Sequence, residues 1–228
     1  MLYLYLEAPF ATFRTFTAGS FRPTAPFMTY SAAYGLLLNL AGEDMRHDDG
    51  KSPMTLIKNK LPKVEIALGE REPAQRHICY QQLHNYPVGN QGKEHAPRTK
   101  GNKYNIVPAR RTFLSGLEVC LGVQADADLE SKIIRGLRGE IEGRYGLPFL
   151  GDNNFLPDRI DVLDRPHEAH WLVPVGEGEE PTGSPEPMRL TVTIDRADMS
   201  RTVARLFRLD GEETATIPAE AWVEVAYG

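Results

Sequence analysis

Leu2-Tyr3-Leu4-Tyr5-Leu6-Glu7 opens the chain with leucine at every second position. Side chains two apart share one face of a strand, so this spacing predicts a β-strand. The alternate positions are tyrosines, so both faces are apolar at the start, as in the centre of a sheet. Outward from this strand runs a long irregular stretch, Pro9 to Met28, with Gly19, Pro23 and Pro26 among Phe10, Phe13, Phe16 and Phe21. Loops of this length usually carry function. A helix is predicted from Thr29 or Tyr30 to Ala41. Ala33, Leu36, Leu37 and Leu40 form one stripe, Thr29 or Ser31 caps the start, and Gly42 ends it.

Further along, Val64, Ile66 and Leu68 alternate with Glu65 and Ala67, and Lys63–Gly69 reads as a strand. Ile78 and Tyr80 mark another. From His84 to Tyr104 the chain is rich in Gly, Asn, Pro, Lys and His, the composition of a protruding hairpin. It returns as a long strand through Arg110 to Val123, with Thr112, Leu114, Leu117, Val119 and Leu121 as core residues. Gly116 within it suggests a bulge or a close approach. A second helix is expected from Asp128 to Glu142, striped by Leu129, Ile133, Ile134, Leu137 and Ile141. Gly136 and Gly139 inside it cost ~1 kcal/mol each relative to Ala, which makes sense where another backbone packs close. Leu147–Gly151 is expected as a short last strand. The resulting fold class is α+β, in the ferredoxin-like βαββαβ pattern of RRM-like domains, with a thumb at about 84–104. That domain spans 1–151. Residues 152–228 read as a small acidic β-rich appendage, with strands at Trp171–Val175, Met188–Ile194 and Ala221–Ala226 and a Gly/Glu/Pro linker at 176–187.

Composition narrows the class. The 228 residues are 41% hydrophobic and 25% charged, ordinary for a globular protein. Two cysteines do not make a disulfide framework, so a reducing cytosol is expected. No basic segment precedes the first apolar residues, so no signal peptide is expected, and the longest apolar runs are too short to span a bilayer. The net charge of −5 is unevenly spread: residues 1–151 balance at +4 and residues 152–228 at −9. The sharpest basic stretch, 71–111, has eight Lys/Arg against Glu72 and Glu94. A local field of this kind can hold a polyanion while an acidic region keeps the protein soluble or meets a partner.

Catalytic signatures are sparse. There is no nucleophile elbow, no phosphate-binding glycine loop and no dinucleotide fingerprint. His167 and His170 miss a zinc-helix spacing by one residue, and Asp152, Asp158, Asp161 and Asp164 read as solvated loop, so no metal or cofactor is expected. A metal-free ribonuclease needs a general acid, a general base and cations. His77, Tyr80, His84, Tyr86, Lys93 and His95 are of the right types, without a geometry to assign. A surface loop of common polar residues is the favoured reading of them. For nucleic acid, Lys93, Arg98, Lys100, Lys103, Arg110 and Arg111 are interleaved with His95 and Tyr104, and Arg14 and Arg22 sit among the loop phenylalanines. Cations pair with phosphates, and rings and guanidinium planes stack on unpaired bases. The start of the first helix, with Thr29 and Ser31, is a second place for phosphate.

Leu4-Tyr5-Leu6-Glu7-Ala8-Pro9-Phe10-Ala11 with Phe13-Arg14, then Arg22-Pro23-Thr24-Ala25-Pro26-Phe27 through Leu37, resemble the CRISPR-associated Cas-five family, as does Tyr145-Gly-Leu-Pro-Phe-Leu-Gly-Asp-Asn153. The likeness covers residues 1–165 and looks closest to the branch found in type I-B-like effector complexes. The resemblance implies a RAMP-type domain with a thumb between its second and third strands. It also implies a place in Cascade, capping the 5′ handle of the crRNA beside the backbone subunit and the large subunit that reads target DNA near the PAM. Most members are structural; one subtype cleaves precursor RNA with Tyr, Lys and His. The expected role is therefore a non-catalytic RNA-binding subunit, the alternative a metal-independent endoribonuclease. The RNA-contacting residues are expected to be Arg14, Arg22, Thr29, Ser31, Lys100, Lys103, Arg110 and Arg111.

Overall fold

The computed structural model describes residues 1–15, 21–52, 55–87, 104–176, 178 and 186–227. The strand read from Leu2 onward is present as β1 (Leu2–Ala11), and it is central. On one side it pairs antiparallel with β7 (Tyr104–Gln124), Leu4 opposite Leu121 and Leu6 opposite Val119. On the other it pairs antiparallel with β8 (Arg159–Leu163). Beyond β7 lies β5 (Val64–Glu70), again antiparallel, so the central order is β8–β1–β7–β5. The short β2 (Phe21–Arg22) and the long β6 (Gln75–Pro87) also pair with β7. A separate two-stranded ribbon joins β3 (Arg46–His47) to β4 (Leu56–Ile57).

Two α-helices lie among the described residues. α1 (Tyr30–Leu40) follows β1, and α2 (Ala127–Leu137) follows β7. Their leucines and isoleucines join Leu4, Leu6, Ile66, Leu68, Leu121 and Val123 in one buried cluster. The opposite sheet face carries a smaller cluster around Tyr5, Ala67, Cys120 and Trp171. α2 is shorter than its apolar stripe predicts. It ends at Leu137, with Arg138 as cap, because Gly139 turns to φ +74°. Gly136 shows the close approach expected of it: a Cβ there would collide with the Leu40 carbonyl of α1.

The strand predicted at Leu147–Gly151 is a correction. This segment is irregular, and the strand beside β1 is β8, further along the chain. The reason lies in its bonding. Leu150 accepts from the Thr12 amide (3.0 Å) and donates to the Phe155 carbonyl (2.7 Å), which makes a packed loop rather than a ladder. Gly151 closes that loop at φ +78°, where a Cβ would strike the Thr12 carbonyl.

Strands on both sides of residue 151 share the sheet. β9 (His170–Pro174) pairs with β5 at Gly69–Trp171 and Glu70–His170, then β11 (Val203–Leu209) and β10 (Met188–Thr193) follow. β12 (Val223–Val225) pairs with the other stretch of β5. Leu190, Val192, Phe207, Val223 and Val225 lie in the main core, and the Tyr30 ring sits 4.7 Å from that of Phe207. No described helix is long and apolar enough to cross a membrane.

Candidate nucleic-acid interface

β6 and β7 form a ribbon that runs from Gln75 opposite Ser115 to Pro87 opposite Tyr104. Most of the segment expected as a protruding hairpin, residues 88–103, lies outside the described residues. Lys100 and Lys103, with Lys93, His95 and Arg98, lie outside the described residues. At the base of the ribbon, β2 runs parallel to β7 and places Phe21 beside Arg110 and Arg22 beside Arg111. The far end of the same irregular stretch returns here, because Arg14 bridges Thr24. Threonines fasten the junction. The Phe13 amide donates to Thr24 Oγ1 (2.8 Å), the Thr24 amide donates to Thr112 Oγ1 (2.6 Å), and Thr12 Oγ1 donates to the Thr112 carbonyl (3.2 Å).

The four arginines gathered here differ in state. Arg14 and Arg110 are exposed, and Arg110 lies over the Phe21 ring at 5.6 Å, within cation–π range. Arg22 is half-buried, and its Nε has no hydrogen-bond partner among the described residues. Arg111 is engaged already. It pairs with Asp152 at 2.5 Å and covers the Phe155 ring at 5.3 Å. Burial pushes the Asp152 carboxyl up, but the Asn154 amide and Arg111 outweigh it and hold the group below its ordinary range. In this structure Arg111 fastens the 150–155 loop to the sheet.

Thr29 also faces inward. It is buried, its hydroxyl accepts from the Ala32 amide (3.2 Å), and it shares a 3.2 Å contact with Ser31. Met28 and Tyr30 on either side are fully buried. Among the described residues no hydrogen bond or ion pair joins this helix start to Arg14 or Arg22, and Thr29 acts as the cap of α1.

Two cations missed by the sequence reading extend the patch. Arg196 donates Nε to the Thr55 carbonyl at 2.6 Å, beside the β3–β4 ribbon that carries Arg46. Its pKa is lowered by burial first, then by the neighbouring charges of Arg46 and Arg14. Nothing local in the sequence points to them, since one lies in a polar connector and the other in the acidic tail.

Of the acid–base candidates, His77, Tyr80 and His84 lie on β6 with described side chains, while Lys93, His95 and the side chain of Tyr86 are outside the described residues. The His77 ring stacks on Phe113 at 5.2 Å and meets Ser115 Oγ at 2.7 Å, while Tyr80 and His84 are exposed. Elsewhere on the sheet, Tyr5 donates to Glu118 (2.8 Å) between Arg71 and Arg159, and His167 meets the Tyr5 ring edge-on. His170 contacts the Asp210 carbonyl at 3.3 Å. The described residues contain no cluster of three or more ligating side chains arranged for a metal.

A mixed α/β protein built on one large antiparallel sheet, with a long ribbon and a cationic junction at its base, is the class these features define. The family model described as CRISPR-associated protein (Cas_Cas5) matches residues 1–183, and the chain belongs to that family. No curated protein sequence matches it. Among solved structures, a chain described as a CRISPR RNA-guided surveillance complex is similar in fold, with a TM-score of 0.58 and 15% identity over 96% of this chain and 91% of the other. A chain described as the crystal structure of a Cas protein gives 0.46 and 17%, over 100% of this chain and 98% of the other.

Proposed function

We propose that this Cas5-family chain is a non-catalytic RNA-binding subunit of a type I CRISPR effector complex (Cascade). In this reading its cationic junction holds the 5′ handle of the crRNA, and other surfaces dock the backbone and large subunits. Target DNA near the PAM is then reached through the complex, in antiviral defence. The observation that carries the reading is the convergence of Arg14, Arg22 and Arg110 from three stretches of chain, with no carboxylate paired to any of them among the described residues. Like charges held together without counterions repel, and a phosphate chain relieves that repulsion. Arg22 brings a second argument: a buried guanidinium nitrogen with no partner costs free energy until an acceptor arrives.

The fold reading that accompanies it is the ferredoxin-like RAMP domain. The order β8–β1–β7–β5, with α1 after β1 and α2 after β7, supports that pattern. The ribbon β6–β7 is then the thumb, and its connector, including Lys100 and Lys103, supplies further cations.

Co-purification tests the reading: short RNA and two further proteins should accompany the tagged chain. Arg14→Lys and Arg22→Lys keep the charge but remove the planar fork. Each should reduce complexes whose 5′ handle survives nuclease, while general RNA binding persists. If both leave handle protection unchanged, the junction does not hold the handle.

A further inference from the structure

The β6–β7 ribbon has two faces. One carries Arg111, Phe113 and His77, which pack inward against Phe10, Phe155 and Ser115. The other pairs Ile78 with Thr112, Tyr80 with Arg110 and Gln82 with Pro108, and Arg76 lies on it as well. This second face holds no acidic side chain among the described residues of the ribbon. It is also unusually apolar for an open surface: Tyr80 is 77% exposed and Ile78 63%.

Register fixes what stands beside Tyr80. Arg110 is directly opposite on β7, and Phe21 of β2 is level with Arg110 on the far side. Directly opposed residues share a sheet face, with Cβ atoms about 5 Å apart. The guanidinium of Arg110 already lies over the Phe21 ring, so it is oriented rather than free. An exposed ring, an oriented cation and a second ring therefore run in one row across three strands.

We propose that this row is a stacking site for single-stranded RNA, with an unpaired nucleobase on the Tyr80 ring and the adjoining phosphate on Arg110. It rests on the reading that the ribbon meets RNA. The chemistry favours RNA over an apolar protein partner. The face is cationic without acids, and the connector joining its two strands carries Lys93, Arg98, Lys100 and Lys103 against Glu94 alone. An exposed aromatic side chain beside such charge gives a π-face that any base can use. Stacking is therefore sequence-tolerant, and discrimination between bases lies elsewhere.

The test uses the full chain and a ten-nucleotide single-stranded RNA with one 2-aminopurine, whose fluorescence falls on stacking. Tyr80→Ala should weaken binding about tenfold and lose the quench, and Tyr80→Phe should keep both. Arg110→Ala should weaken binding and lower its salt dependence. Tyr80 is exposed, so a thermal melt unchanged by Tyr80→Ala shows that the loss is not one of folding. Unchanged affinity and quench in Tyr80→Ala, with Arg110→Ala weakened, overturns the stacking site and leaves the RNA reading standing. If neither variant changes RNA binding, both fall. If Tyr80→Ala keeps RNA but loses a protein subunit from the complex, the row is a protein-docking surface and the proposal is wrong.

Discussion

Replacing Arg22 by methionine should move stability and RNA binding in opposite directions. Methionine keeps an unbranched stem of similar reach and removes the guanidinium. In the free protein the Arg22 Nε is buried without a partner among the described residues, on a half-buried side chain beside Arg111. An unsatisfied buried donor costs about 1–3 kcal/mol. Only one of the three guanidinium nitrogens is so placed, so the lower end applies, about 1 kcal/mol. For a chain of this length that raises Tm by about 2–4 °C. With RNA present, the same substitution removes charge-assisted hydrogen bonds worth about 1.5–3 kcal/mol, a loss of about 10- to 150-fold in affinity. The slope of log K against log salt should also flatten by about 0.7 for each single-strand phosphate that is no longer neutralised. Thermal melts without RNA and filter binding at four salt concentrations measure both. A lowered Tm with unchanged RNA affinity would refute the reasoning, because Arg22 would then be a strut of the loop and not a waiting ligand.

Three further outcomes are expected. Burial raises the Glu70 carboxyl to about 7 against the opposing charge of His170, so the folded state holds a proton that the unfolded chain has released. Stability should fall as pH rises from about 4.5 to 7 and level off above, by at most about 3 kcal/mol, and Glu70→Gln should remove that slope in urea titrations. Phe207→Ala should cost about 3–5 kcal/mol, because its ring is fully buried against Tyr30; truncation after Asp164 should lose the fold and not merely a docking surface, seen by near-UV circular dichroism. Labelled repeat RNA incubated with the protein in EDTA should stay intact; one site-specific product lost on changing His77 or His84 would establish the ribonuclease alternative.

How much of this was legible follows from the range of each signal. Alternation and helical stripes are local, and they located β1, β5, β9, β10, α1 and the body of α2 to within a few residues, whereas β7 begins at Tyr104, well ahead of the expected Arg110. The core residues expected on β7, from Thr112 to Leu121, are all buried. Gly116 marked the point where that strand changes face. Leu114 and Leu117 are three apart yet lie in the same core, and so do their partners Ala11 and Ala8 on β1. Simple alternation forbids that, and a glycine at φ +65° permits it. The same local logic failed where a segment's partner is remote. Leu147–Gly151 has the apolar residues of a strand, but its hydrogen bonds go to Thr12 and Phe155, and no nearby residue encodes that choice. The acidity of residues 152–228 suggested an appendage. Charge reports the outer face, whereas Leu190, Val192 and Phe207 on the inner face set where the segment packs.

The candidate interface divides in the same way. Residue type pointed to Arg14, Arg22 and Arg110, since an arginine among loop aromatics has little to pair with locally. Whether an arginine is free or engaged depends on the other end of its contact, and Asp152 reaches Arg111 across 41 residues of sequence. Arg46 and Arg196 lie in segments whose own composition argues against a basic site, and they meet Arg14 only because the β3–β4 ribbon and the turn after β10 fold to the same corner. Tyr80 stood out as a ring that can donate a proton. The register sets it level with Arg110 and Phe21, a row across three strands that its own stretch of sequence does not show.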